Sequence, residues 1–137
     1  MNLRDDPTDP STWLGRAKSS LALAEQGRRI VGVSLEDLCF HAQQAAEKAL
    51  KAVCVLHNIA FPKTHSLVRL IDLLEENRVA VPKKVKSADV LSLYAVDTRY
   101  PGVSERVSAA EYKKALKIAS QVVTWVDGEV SKSRNSK

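Results

Sequence analysis

Ser34-Leu35-Glu36-Asp37-Leu38-Cys39-Phe40-His41-Ala42-Gln43-Gln44-Ala45-Ala46-Glu47-Lys48-Ala49-Leu50-Lys51-Ala52-Val53-Cys54-Val55-Leu56-His57 is the stretch whose reading decides the fold. Leu38, Ala42, Ala45, Ala49, Val53 and Leu56 recur at intervals of three and four, the period of one helix face. Ser34 and Asp37 have the Ser-x-x-acid spacing of a capping box, which satisfies free N–H groups where a helix begins. A helix from Ser34 to about His57 follows. Its inner stripe is rich in alanine, which lets a neighbouring helix approach closely.

The same period extends outward in both directions. Upstream, Asp9 as N-cap and Pro10 at the first helical position start a helix that runs to about Arg28, with Leu14, Ala17, Leu21 and Ala24 inward. Gly27 and Gly32 bracket the turn that follows. Downstream, Thr64 is read as the cap of a third helix burying Leu67, Leu70, Ile71 and Leu74. Pro82 opens a fourth, which reaches about Asp97 and buries Val85, Ala88, Leu91 and Ala95. Pro101 and Gly102 force a loop from Thr98 to Val107. A second capping box, Ser108 with Glu111, begins the last helix, whose stripe is Tyr112, Ala115, Ala119, Val122, Val126 and Val130. No stretch alternates with the period of a strand. The sequence therefore predicts an all-α, up-and-down helical bundle of about five helices: a single domain over 1–131 and a disordered basic tail over 132–137.

Composition sets the outer limits. The 137 residues suffice for one core, and 45% hydrophobic with 27% charged residues is ordinary for a globular chain. The longest apolar run, Ala52 to Leu56, is far short of the roughly 20 residues a membrane span needs. The acidic, polar Met1 to Pro10 segment does not read as a signal peptide, so a cytoplasmic protein with no membrane role is expected. Cys39 and Cys54 fall about four turns apart on one helix, too far to bridge, and read as reduced core thiols. The net charge of +5 suits an anionic partner such as RNA, a nucleotide or an acidic protein surface.

Four clusters offer chemistry, and each has a plain structural alternative. His41, Gln44, Lys48 and Lys51 are spaced three, four and three along one side of the second helix. They read either as a groove wall for phosphate and base or as a solvated face with an ordinary Glu47–Lys51 pair. Lys63 and His65 flank a helix N-terminus, whose N–H groups and dipole suit a phosphate; the alternative is that Thr64 simply caps. Lys83 and Lys84 stand in the first turn of the fourth helix, where either an anion relieves an unfavourable dipole contact or solvent and salt simply screen it. Arg99 beside Tyr100, in Asp97-Thr98-Arg99-Tyr100-Pro101, could clamp a phosphate and stack a base, or could merely end the helix. Trp125 lies off the inner stripe of the last helix and marks either a contact surface, such as a homodimer seam, or the edge of the core. There is no glycine-rich phosphate loop, metal-ligand spacing or nucleophile elbow, so no metal or cofactor is implied.

Taken together, His41-Ala42-Gln43-Gln44-Ala45-Ala46-Glu47-Lys48-Ala49-Leu50-Lys51, Pro62-Lys63-Thr64-His65-Ser66-Leu67 and Thr98-Arg99-Tyr100-Pro101-Gly102 resemble the HEPN domain, a small helical domain associated with nucleotides and RNA. The resemblance spans about Leu14 to Val130 and implies a four-helix core with an extra helix, usually dimeric. It also implies a minimal nucleotidyltransferase as partner, the two often behaving as toxin and antitoxin. Many HEPN domains are metal-independent ribonucleases with an Arg followed after four to six residues by His. Here Arg99 is followed through Arg106 by no histidine, and the chain resembles instead the branch with a Thr-Arg-Tyr-Pro turn.

The reading is a non-catalytic nucleotide- or RNA-associated binding module. His41, Gln44, Lys48, Lys51, Lys63, His65, Arg99 and Tyr100 are its nucleotide-binding residues. The alternatives are a ribonuclease toxin using Arg99 with His41 or His65, and a plain assembly subunit.

Overall fold

The computed structural model describes residues 6–95 and 106–135. Five α-helices, α1 (Pro10–Gln26), α2 (Leu35–Leu56), α3 (Leu67–Glu76), α4 (Lys83–Lys86) and α5 (Ala109–Asn135), carry the fold, with 3₁₀ turns at Gly27–Arg29 and Ser87–Tyr94. Among the described residues there is no strand.

The local signals act as the residues dictate. The Asp9 carboxylate accepts from Ser11 N–H at the head of α1, Ser34 Oγ from Asp37 N–H at α2, and Ser108 Oγ from Glu111 N–H at α5. The helix ends are equally legible. Asn58 and Arg78 take positive φ just past α2 and α3 (57° and 64°), turning the chain back so that Ile59 and Val79 N–H groups reach the Cys54 and Leu74 carbonyls.

Two elements depart from the expectation. Ser66, not Thr64, caps α3: its hydroxyl accepts from Arg69 N–H, while Thr64 Oγ1 accepts from Ser66 N–H just before the helix. The helix read as continuous from Pro82 to Asp97 is a four-residue α4 followed by a 3₁₀ stretch, and positions 96 and 97 lie outside the described residues. Val85, Ala88, Leu91 and Tyr94 repeat strictly every third residue, which matches three residues per turn, and Val85, Ala88 and Leu91 are fully buried. At the other end of the chain, α5 continues through Lys132 and Arg134 to Asn135.

The central helix is α2, packed against α1, α5, α3 and the 3₁₀ stretch. Its Ala42, Ala45, Ala46, Ala49, Leu50, Ala52, Val53, Cys39 and Cys54 are all excluded from solvent, so burial covers far more than one stripe. Cys39 and Cys54 are free thiols in that core. Three long-range hydrogen bonds pin the outer elements: Tyr112 Oη donates to the Ala24 carbonyl (2.7 Å), Val107 N–H to Glu36 Oε1 (2.9 Å), and Tyr94 Oη to Glu111. Trp125 is partly buried against the core. No helix among the described residues is long and apolar enough to cross a membrane.

Candidate functional site

Gln43 and Glu47 sit one turn apart on α2 among alanines and leucine, at positions a core helix normally gives to apolar groups. Both are buried, and both are held by hydrogen bonds. Glu47 Oε1 receives Gln43 Nε2 (3.1 Å) and His65 Nδ1 (3.0 Å), while Oε2 receives Lys51 Nζ (3.0 Å). Gln43 Nε2 also donates to the His65 carbonyl (3.2 Å), and Gln44 Nε2 donates to Gln43 Oε1 (2.8 Å). A single turn of α2 thereby holds both the backbone and the ring of His65 from the segment preceding α3.

Burial pushes the Glu47 carboxyl up, but hydrogen bonds from Gln43, His65 and Lys51, with the Lys51 charge, outweigh it and hold the group below the usual carboxylate value. Lys51 is nearly buried as well, its Nζ lying 5.8 Å from the Trp13 ring and 5.6 Å from Phe61, which meet edge to face. Its ammonium is thus enclosed by one carboxylate and two rings. Lys48 turns the other way and donates to Ser20 Oγ on α1 (2.9 Å). Burial pushes the Lys48 ammonium down, Glu47 opposes that, and Arg16 and Lys51 add to it.

The residues named from the sequence therefore divide into groups. Lys51 and His65 meet at Glu47, Gln44 bonds the adjoining Gln43, and Lys48 turns away from them toward α1. His41, half-buried with its ring beside Phe40, lies about 9 Å along the helix axis from Glu47. Lys63 is exposed on the segment before α3, as are Lys83 and Lys84 on α4; Lys86 pairs with Glu75 at 2.6 Å. Arg99 and Tyr100 lie outside the described residues.

The two residues at the heart of the network, Gln43 and Glu47, are not among the binding residues read from the sequence, where Glu47 entered only as the ion-pair partner of Lys51, a pair the structure shows. Their signal was available: two polar side chains, four apart, on the otherwise apolar side of a helix. Among the described residues no three His, Cys, Asp or Glu side chains gather as metal ligands would.

An all-α bundle wrapped around one alanine-rich helix, with a buried Gln–Glu pair at its polar seam, is the class of protein defined here. The HEPN domain model matches residues 10–130, and the chain belongs to that family. Two solved structures share the fold. TT1696, a protein of Thermus thermophilus, is 32% identical with a TM-score of 0.69, the match covering 87% of this chain and 96% of its own. An archaeal HEPN homologue is 23% identical with a TM-score of 0.68, the match covering 89% of this chain and 98% of its own. No curated protein matches.

Proposed function

We propose that this HEPN protein is a nucleotide- or RNA-associated binding module that works as a cytoplasmic homodimer with a minimal nucleotidyltransferase, as in a toxin–antitoxin pair. The observation that carries the reading is the convergence of Lys51 and His65 on Glu47, with Gln44 bonded to the adjoining Gln43, from two segments far apart in the chain. His65 and Lys63 face solvent at this seam and would meet phosphate, while Gln44 offers amide groups to a base or ribose. The net charge of +5 favours an anionic ligand. Arg99 and Tyr100 would complete the site by gripping phosphate and stacking on a base.

The test is titration of wild type, His65→Ala and Arg99→Ala with ATP and with a short single-stranded RNA at two salt concentrations. Salt-sensitive binding that weakens in both variants, with the RNA intact on a gel, supports the module. No binding of either ligand at low salt overturns it. A second reading, ribonuclease activity with His65 as base, is favoured by one feature, the carboxylate that orients its ring. RNA cleavage lost in both variants would establish that reading instead.

A further inference from the structure

His65 combines exposure with fixation. Its side chain is 64% accessible, yet its Nδ1 lies 3.0 Å from a carboxylate that is only 5% accessible. That carboxylate is itself immobilised by Lys51 on one oxygen and Gln43 on the other, and Gln43 also holds the His65 carbonyl. With an ammonium on Oε2, Glu47 is ionised, and an ionised carboxylate can only accept. The proton of the neutral imidazole is therefore on Nδ1, and Nε2 is a bare lone pair. A carboxylate behind the ring fixes its orientation and tautomer and stabilises the imidazolium that forms when that nitrogen attacks.

We propose that His65 is a phosphoryl acceptor, whose Nε2 takes a phosphoryl group from an activated donor of the phosphoramidate or acyl-phosphate class. The local charge suits that electrophile: Lys63 stands exposed two residues before the ring and supplies a cation on the same segment for an anionic donor. The exposure of the ring suits an acceptor, since in-line attack at phosphorus needs an open approach to Nε2. With phosphoramidate the step is balanced: the Nε2–P bond forms, the donor P–N bond breaks, and its already protonated nitrogen departs as ammonia. The ring retains its Nδ1 proton, and the positive charge is held against Glu47. This role goes beyond nucleotide binding and requires no bound nucleotide.

The test uses the intact protein and phosphoramidate alone, with ³¹P NMR and peptide mass mapping. His57, exposed at the end of α2, is the reference in the same tube. His65 should be phosphorylated about tenfold faster than His57, and Glu47→Gln should bring it to the His57 rate while leaving His57 unchanged. Nitrogen NMR of wild type should place the neutral-ring proton on Nδ1. Equal rates at the two histidines, an Nε2-protonated ring, or a His65 rate indifferent to Glu47→Gln would each overturn the assignment. The wild-type rate ratio and tautomer decide the matter even if the variant folds poorly.

Discussion

Replacing Glu47 by leucine removes one buried carboxylate and strands its partners. Lys51, only 11% accessible, loses a charge-assisted bond worth roughly 1.5–3 kcal/mol, and the fully buried Gln43 loses a partner for its amide at about 1 kcal/mol. The contact to His65 adds little, because the exposed ring regains water. The leucine returns about 1 kcal/mol of apolar burial. The net loss is about 2 kcal/mol, which for a chain of this length lowers Tm by about 7 °C. Thermal and urea unfolding followed by circular dichroism should show this, with an unchanged urea slope. The decisive comparison is Glu47→Leu/Lys51→Met, which removes both charges together and should recover at least half of the loss. A single-variant loss below about 1 kcal/mol, or a double variant no better than the single, would refute the claim that this ion pair anchors the seam. The pH dependence has a definite sign. The folded carboxyl titrates below its ordinary value of 4.5, so its stabilisation is present above that value and disappears as pH falls through the folded one. Glu47→Leu should flatten the acid limb of the stability profile.

Other outcomes test the fold. Tyr112→Phe should cost about 1–2 kcal/mol in urea unfolding, because it leaves the buried Ala24 carbonyl without the phenol that ties α5 to α1. Burial pushes the Tyr112 phenol up, opposed by Arg28 and aided by Cys39 and Glu25; wild type should lose stability as pH rises above 10.0, and Tyr112→Phe should lose less. Gly27→Ala should cost about 1–3 kcal/mol, since the added Cβ would lie 2.3 Å from Cδ2 of the buried Leu38, and thermal melts would reveal it. Arg78→Gly should raise stability by about 0.5 kcal/mol in urea unfolding, because the residue takes φ 64° where only glycine avoids a Cβ penalty. Burial pushes the Cys54 thiol up to about 11, so native protein should resist iodoacetamide at this position in mildly alkaline buffer and react once unfolded.

What could be read along the chain was whatever depends on neighbours within a few residues. The stripes of α1, α2, α3 and α5, the caps at Asp9, Ser34 and Ser108, and the isolation of the two cysteines follow from helical period and from N–H groups that need acceptors close by. Short-range competition was harder to resolve: Thr64 and Ser66 both offer a hydroxyl before α3, and only the path of the chain from Asn58 decides which one meets the helix. The break of the fourth helix into a 3₁₀ stretch follows from packing, since apolar residues three apart can serve either helix type.

The site shows the same division more sharply. His41, Gln44, Lys48 and Lys51 share a side of one helix by sequence spacing, but Lys48 reaches Ser20 and Lys51 is enclosed by Trp13 and Phe61 because α1 and the segment before α3 lie where they do. Glu47 and His65 are 18 residues apart, and nothing local couples them. The sequence by itself determined the HEPN helices and the residues available to a polar seam. Tertiary structure alone made Glu47 the centre of that seam, because a buried carboxylate takes whichever donors the packed helices bring within 3.0 Å or so.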